Sequence, residues 1–218
     1  MAKKKTAGSI ILSIVLFIAI VVLLVFAAFN ILFFKSPIIG ISMQPTFNAE
    51  LPEGESTSYY EKSNIKDKAY VYRFSRGKVG DVILVEKTET VNGVATTKLI
   101  IKRLIATGGQ TVDIQKDGDN YYLYINGEKK EESYIKNIAG METCYNTFVA
   151  YKSSIGKTAD EPITLGENEV FVMGDNRGHS NDSSNFGPVQ KSAIKGKVAF
   201  VVRYNSNLFS YLWHKIFG

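Results

Sequence analysis

The N-terminal segment holds the feature that most limits how this chain folds. From Thr6 to Phe34 the sequence has no charged residue, and Ile10 to Phe29 is almost wholly apolar. About 20 such residues are enough for a helix to cross the hydrocarbon core of a bilayer. A cleavable signal peptide is the alternative, but its apolar region spans only about 7–15 residues. The sequence therefore predicts a transmembrane anchor at 9–34, after a cytoplasmic N-terminus at 1–8.

The charges before the anchor predict its orientation. Lys3, Lys4 and Lys5 precede the apolar segment. Positive charges beside a membrane span stay on the cytoplasmic side, so the chain after Lys35 is expected outside the cytoplasm. The prediction is a single-pass protein of the cell membrane with an extracytoplasmic domain.

Composition excludes several classes of function. The three N-terminal lysines account for much of the net charge of +5, and no basic stripe interleaved with aromatic residues follows them. Nucleic-acid binding is therefore not expected. Cys144 is the single cysteine, so no internal disulfide is possible. One cysteine and two histidines cannot supply a zinc ligand set, and we expect neither a metal nor a cofactor.

After the anchor, the hydrophobic pattern changes to the two-residue period of strands. The runs Ala69–Phe74, Asp81–Glu86 and Thr96–Ala106 are rich in Val, Ile and Tyr, and glycine turns separate them. Asn92-Gly93 and Asn126-Gly127 are dipeptides typical of tight hairpin turns. The pattern predicts an antiparallel sheet built from hairpins.

These signals divide the chain after the anchor. Residues 35–204 are expected to form a mainly β, hairpin-rich antiparallel domain, with a smaller β cap excursion at approximately 110–165. No stretch between Lys35 and Val202 has a convincing helical period, so no helix is predicted there. Asn48–Lys68 is predicted to be an exposed loop. The aromatic-rich tail at 205–218 is suited to the membrane interface.

A serine follows the predicted anchor in the segment Gly40-Ile41-Ser42-Met43-Gln44-Pro45-Thr46. Ser42 is seven residues after Lys35, which keeps it within about 25 Å of the helix end. A serine hydroxyl needs a base to become a nucleophile. The candidate bases are His179, His214 and the lysines.

Lys102 is the unusual lysine, because it lies in the apolar run Leu99–Ile105. In a strand, Lys102 and Arg103 point to opposite sides, so one of these charges is expected to face the core. Burial can lower the pKa of a lysine by up to about 3–5 units from about 10.4, which leaves a free amine. A guanidinium does not deprotonate in proteins. The alternative is that Lys102 extends from a strand edge into water.

The third stretch of interest is the polar run Met173–Ser183, which follows a predicted strand. Taken alone, it is typical of a loop with Asx turns. It also allows a Ser42–His179–Asp175 triad, for which the competing interpretation of His179 is a solvent-facing loop residue. A Ser-His-Asp membrane-anchored hydrolase and a non-enzymatic anchored β adhesion or scaffold domain are therefore the alternative functions.

Three motifs in this order resemble the bacterial type I signal peptidases, the Ser-Lys dyad family. They are Ser-Met-x-Pro-Thr after an anchor, an apolar Ile-Lys-Arg strand, and Gly-Asp-Asn-Arg-x-x-Ser-x-Asp-Ser. The resemblance runs from the anchor to Val202 and includes Gly80-Asp81-Val82. It implies a membrane-bound serine endopeptidase that removes signal peptides from exported preproteins at small-x-small sites. The implied partners are signal peptides, the membrane lipid surface and, indirectly, the secretion translocon.

The resemblance also implies roles for individual residues. Ser42 matches the nucleophile and Lys102 the general base, and a lysine at this position points to the bacterial branch. Ser180 matches the serine that orients the lysine amine, and Asp182 the aspartate that supports its loop.

The resemblance further implies an ion pair that supports the site, an oxyanion donor and positions that contact the substrate. Arg103 and Asp175 match a pair that ties the lysine strand to the loop. The Ser42 backbone N–H is the expected oxyanion donor. The positions expected to contact the substrate are Ile38, Gly40, Met43 and Ile101.

The chain departs from the family pattern at three places. Gly40 stands where some members carry a serine hydroxyl as second oxyanion donor. Gly108-Gly109-Gln110 replaces Pro-Gly-Asp after the lysine strand. Ser184 stands where an arginine often partners the aspartate, so Asp182 is expected to interact with Arg177 instead.

Overall fold

The computed structural model describes residues 7–48, 67–91, 93–135, 139–203, 207–209 and 211–212. The chain divides into two compact units, Met1–Phe34 and Lys35–Gly218.

The first unit contains the helix α1, Ala7–Leu32, of 26 residues. None of its residues is buried, and by length and composition it can cross a membrane. At about 1.5 Å per residue it is longer than the roughly 30 Å hydrocarbon core of a bilayer. The helix begins at Ala7, two residues before the predicted start of the anchor at 9. It ends at Leu32 and not at 34, because Phe33 and Phe34 belong to the first strand.

The second unit is mainly β and antiparallel, as the sequence predicts. Its strands are β1 (Phe33–Pro37, which begins at the end of the first unit), β2 (Lys68–Tyr72), β3 (Val82–Val91), β4 (Val94–Thr107), β5 (Thr111–Asp117), β6 (Asn120–Ile125), β7 (Glu128–Lys129), β8 (Ile163–Thr164), β9 (Glu169–Met173), β10 (Val189–Gln190) and β11 (Ile194–Val202). They form a seven-stranded sheet in the order β1-β2-β11-β3-β4-β9-β10 and a four-stranded sheet in the order β7-β6-β5-β8.

The long hairpin β3–β4 forms the centre of the larger sheet. Val91 pairs with Val94 at its tip, where Gly93 has a positive φ of 79°, and Asn92 lies outside the described residues. The register places Lys102 opposite Ile83, which is fully buried. Lys102 therefore faces the protein interior rather than water.

The smaller sheet and one helix form the cap. The predicted hairpin at Asn126-Gly127 joins β6 to β7, and both residues have a positive φ. The core between this sheet and the helix is apolar. Its buried members include Val112, Ile114, Leu123, Ile125, Met141, Cys144 and Phe148.

The prediction that no helix lies between Lys35 and Val202 is wrong. The helix α2 spans Gly140–Ser154, and the short helix α3 spans Ser183–Phe186. The buried face of α2 contains Met141, Cys144, Phe148 and also Lys152, whose side chain is ion-paired with Asp113. A charged residue at one of these core positions interrupts the apolar period, and this hides the helix in the sequence.

The turn after β4 is formed by Gly108-Gly109-Gln110. Gln110 N donates to Thr107 O at 3.2 Å, and the Gln110 side chain accepts from Thr107 N at 2.9 Å. Gly109 has a positive φ of 82°, a conformation that suits glycine. Gln110 thus closes this turn with its backbone N–H and with the oxygen of its side-chain amide.

The predicted loop and tail lie mostly outside the described residues. Of the loop Asn48–Lys68, the structure describes its ends, and of the tail at 205–218 it describes 207–209 and 211–212. Tyr211 stacks on Phe200 with ring centroids 5.2 Å apart. Trp213 and Phe217, on which the interfacial prediction partly depends, are outside the described part of the chain.

Candidate active site

Ser42 lies in a tight turn between β1 and the predicted loop. Gln44 N donates to Ile41 O at 3.0 Å, and Phe47 N donates to Met43 O at 2.9 Å. The Ser42 carbonyl accepts a hydrogen bond from Asn176 N at 3.0 Å. These bonds hold the backbone before and after the nucleophile candidate, and Ser42 itself is half-buried.

Lys102 and Ser42 are in direct contact. Lys102 Nζ lies 2.7 Å from Ser42 Oγ, although 60 residues separate them in the sequence. Lys102 is 4% exposed. This distance is that of a good hydrogen bond, along which a proton can move between hydroxyl and amine.

Burial lowers the pKa of Lys102 to about 8. The nearby carboxylates of Asp182 and Asp175 act in the opposite direction, and the charge of Lys87 adds to the lowering. With a pKa of about 8, roughly a tenth of the amine is uncharged at pH 7. Lys102 can therefore act as a base near neutral pH, which an ordinary lysine cannot.

Asp182 supports the loop beside the amine. It is 1% exposed and accepts hydrogen bonds from Gly174 N at 2.8 Å and from Ser184 N and Oγ at 3.0 and 2.8 Å. The expected interaction of Asp182 with Arg177 is wrong. As the N-cap of α3, Asp182 has its oxygens occupied by backbone N–H groups and a hydroxyl, and it needs no guanidinium.

Ser180 lies beside Gly174 and the nucleophile turn. A Cβ at position 174 would come within 2.3 Å of Ser180 Oγ and 2.4 Å of the Ser42 carbonyl oxygen, so only glycine fits there. The Ser180 hydroxyl is buried and has no hydrogen-bond partner among the residues that the structure describes. The structure therefore brings Ser180 into the site without a hydrogen bond to the amine.

Arg103 and Asp175 form a two-point ion pair. Arg103 Nε lies 2.8 Å from Asp175 Oδ1, and Arg103 Nη2 lies 2.6 Å from Asp175 Oδ2. Arg103 Nη1 also donates to Gly80 O at 2.7 Å, and the Thr46 hydroxyl donates to Asp175 Oδ2. The Asp175 carboxylate thus connects three parts of the site: β4, which carries Lys102, the loop after β9, and the turn that carries Ser42.

Sequence reasoning missed two residues that extend this network into the cap. The Arg103 guanidinium lies over the Tyr134 ring, 3.9 Å from its centroid. The Tyr134 hydroxyl donates to Glu132 Oε1 at 2.6 Å, and Arg177 binds both oxygens of Glu132. Neither Glu132 nor Tyr134 belongs to a motif, so no signal in the sequence marks them.

The predicted substrate positions differ in exposure. Ile38, Met43 and Ile101 are at most 8% exposed, so they can form only the floor of a pocket. The neighbouring residues Ile39 and Leu99 are 52% and 54% exposed. Gly40 has a positive φ of 81°, and no atom lies within 4 Å of where its Cβ would be.

The structure does not assemble the alternative triad. His179 is exposed, and its backbone N–H donates to Asn176 O at 3.0 Å. The Asp175 carboxylate is occupied by Arg103 and Thr46. His214 lies outside the described residues. Among the residues that the structure describes, the base in contact with Ser42 Oγ is the amine of Lys102 and not an imidazole.

One backbone donor beside the nucleophile is free. In the described part of the chain, the Ser42 N–H makes no hydrogen bond, so it is available to an oxyanion. Among the same residues, no group of three His, Cys, Asp or Glu side chains could hold a metal ion.

Comparison with known proteins gives consistent matches. The model of the family described as "Signal peptidase, peptidase S26" matches residues 11–203. Signal peptidase I P of Bacillus subtilis subsp. natto is 33% identical over 193 residues, which cover 88% of each chain. Signal peptidase I of Bacillus licheniformis is 34% identical over 186 residues, which cover 84% of this chain and 83% of the relative. A crystal structure of a signal peptidase I from Enterococcus faecalis matches with a TM-score of 0.36 and 24% identity, covering 57% of this chain and 98% of that one.

Proposed function

The chain belongs to the signal peptidase family, peptidase S26, and we propose that Ser42 and Lys102 are the catalytic dyad with which it removes signal peptides. The enzyme is a serine endopeptidase of the signal peptidase I type. The observation that carries the proposal is the 2.7 Å contact between the buried Lys102 amine and the Ser42 hydroxyl.

In the first half of the reaction, the neutral Lys102 amine takes the proton of the Ser42 hydroxyl while Oγ attacks the scissile carbonyl. The Ser42 N–H donates to the oxyanion that forms, and one such donor is typically worth about 100–1000-fold in rate. The scissile C–N bond then breaks. The proton on Lys102 moves to the leaving amine, which leaves an ester of the signal peptide on Ser42.

In the second half, the Lys102 amine is neutral again and takes a proton from water. The hydroxide attacks the ester carbonyl, the Ser42 oxygen leaves and regains its proton from Lys102, and the signal peptide departs as a carboxylic acid. The same lysine therefore serves as base and acid in both halves, as the general base does in other serine peptidases.

The substrate is held mainly through its backbone. An extended peptide that pairs with residues 38–42 and 99–102 gains main-chain hydrogen bonds whatever its sequence. Small side chains fit beside the buried Ile38, Met43 and Ile101. A preference for small-x-small sites follows from this combination.

The proposed enzyme works at the membrane surface. The helix α1 is the anchor, and the three lysines before it favour a cytoplasmic N-terminus and an extracytoplasmic catalytic unit. The short connection from Lys35 to Ser42 favours contact with the lipid surface, where a signal peptide leaves the bilayer. The secretion translocon is an indirect partner through the preproteins that it delivers.

Processing of a purified secretory precursor tests this function. We expect Ser42→Ala to lower the rate by at least about 1000-fold, because it removes the nucleophile. His179→Ala should stay within about twofold of wild type, as exposed residues away from the chemistry usually do. The matched control is Ser36→Ala, at a half-buried serine in β1, which should also leave the rate unchanged.

Each alternative function has its own outcome in this assay. An inactive His179→Ala with an active Lys102 variant would support the Ser-His-Asp hydrolase. A wild-type protein that neither cleaves the precursor nor forms an acyl adduct at Ser42 with a β-lactam-type inhibitor would support an adhesion or scaffold domain.

A further inference from the structure

Asn48 and Asp67 form a buried pair at the two ends of the predicted loop. They are 4% and 2% exposed. Asn48 N donates to Asp67 Oδ2 at 2.9 Å, and Asp67 N donates to Asn48 Oδ1 at 2.8 Å. Arg203 Nη1 donates to the same Asp67 oxygen at 2.6 Å. We name this pair the Asn48–Asp67 clamp.

The clamp holds the chain just before the nucleophile. Asn48 Nδ2 donates to Ile38 O at 2.8 Å and to Gly40 O at 2.9 Å, and Ile38 N donates to Asp67 O at 2.9 Å. The segment is not a regular strand, since Gly40 has a positive φ of 81°. The Asn48 amide therefore fixes the positions of the Ile38 and Gly40 carbonyls, on the two sides of Ile39.

The opposite edge of this segment is free. In a planar trans peptide the N–H points opposite to the C=O. Because the Ile38 carbonyl is directed to Asn48, the Ile39 N–H faces away from the clamp. Neither the N–H nor the C=O of Ile39 makes a hydrogen bond within the described ranges, and the Ile39 side chain is 52% exposed. Ile39 lies three residues before Ser42, so its backbone is within about 11 Å of the nucleophile along the chain.

We infer that Asn48 is a positioning residue for substrate binding: its amide orients the peptide groups at 38 and 40 so that Ile39 pairs with the substrate backbone. The inference rests on the proposed function and deepens it. The ligand is an extended peptide segment on the N-terminal side of the scissile bond. Asn48 itself does not touch the substrate, and Asp67 anchors it.

The variant Asn48→Gly isolates the side-chain amide. Asn48 has a positive φ of 53°, which glycine adopts without strain. The matched control is Asn126→Gly in the cap hairpin. Asn126 also has a positive φ, 54°, and its side chain also accepts from a backbone N–H, that of Thr111 at 2.8 Å. The two substitutions therefore remove the same group from the same backbone conformation.

The measurement is kcat and KM for a signal-peptide substrate and for three copies of it, each N-methylated at one residue before the scissile bond. We expect Asn48→Gly to raise KM by about 5- to 10-fold for each substrate hydrogen bond lost, with little change in kcat. Asn126→Gly should match wild type. One of the three N-methyl groups should raise the KM of the wild type the most. The same group should hardly raise the KM of Asn48→Gly, because the substrate hydrogen bond that it blocks is already lost in this variant.

An unchanged KM in Asn48→Gly, or an N-methyl penalty equal to that of wild type, would overturn the inference. A wild-type protein that does not cleave the peptide contradicts the proposed function instead, so the two failures are distinguishable. If Asn48→Gly does not fold, the same substrates are measured with Asn48→Asp. Aspartate has nearly the shape of asparagine, but its carboxylate cannot donate a hydrogen bond to the carbonyls at 38 and 40. Misfolding of both variants would also overturn the inference, since the amide would then serve the fold alone.

Discussion

Replacing Lys102 by methionine is expected to lower kcat/KM for a preprotein by about 1000-fold or more. A positioned general base contributes about 100- to 10,000-fold, and here the same group serves both halves of the reaction. Methionine has a similar length and no charge, so it fits the site in which Lys102 is 4% exposed. Because burial disfavours the charged amine, the melting temperature of Lys102→Met should equal or exceed that of wild type.

The matched control is Lys98→Met. Lys98 is four residues earlier in β4, and its side chain is 58% exposed beside Glu89. We expect this variant to keep wild-type activity, since an exposed ion pair contributes about 0–1 kcal/mol to stability and nothing to the chemistry. A folded Lys102→Met that retains a tenth or more of the activity would show that another group is the base.

Replacing Asp175 by alanine is expected to produce a large loss of stability. The Asp175 side chain is fully buried, and its partner Arg103 has an 11% exposed side chain. Removing one member of a buried pair leaves the other charge without compensation, which costs about 3–5 kcal/mol. That is a large share of the roughly 5–15 kcal/mol that keeps a domain folded. Denaturant unfolding of the wild type and the variant measures the difference.

The control for this loss is Asp117→Ala. Asp117 pairs with Lys129 on the cap, and the two side chains are 58% and 34% exposed. Exposed pairs contribute about 0–1 kcal/mol, so this variant should be almost as stable as wild type. Equal losses in the two variants would contradict the view that the Asp175 carboxylate holds the nucleophile turn, the lysine strand and the loop together.

The sequence predicts those parts of the fold that local patterns encode. The uncharged run predicts α1, and the hairpin dipeptides predict the turns of β3–β4 and β6–β7. The position of Lys102 in an apolar strand predicts that one charge faces inwards, and Lys102 is the residue that does so.

The remaining features depend on contacts between distant residues. Lys152 lies on the buried face of α2 because Asp113, 39 residues earlier, neutralises it. Arg177 binds Glu132 across 45 residues, and Asn48 binds carbonyls that precede it. From the neighbouring sequence alone, each of these polar side chains would be predicted to lie on the surface. Their partners become apparent only when the two sheets are in place.

The pH dependence of kcat/KM for a peptide substrate, between about pH 6 and 10, tests the role of Lys102 most directly, because it reports the pKa of the essential base in the free enzyme. The lysine is inactive when protonated, so the rate should fall as the pH drops below its pKa of about 8. At pH 6 it should be about 100-fold below its alkaline plateau. An apparent pKa near 6.5, typical of a histidine, or near 10.4, typical of a hydrated lysine, would contradict a buried lysine base.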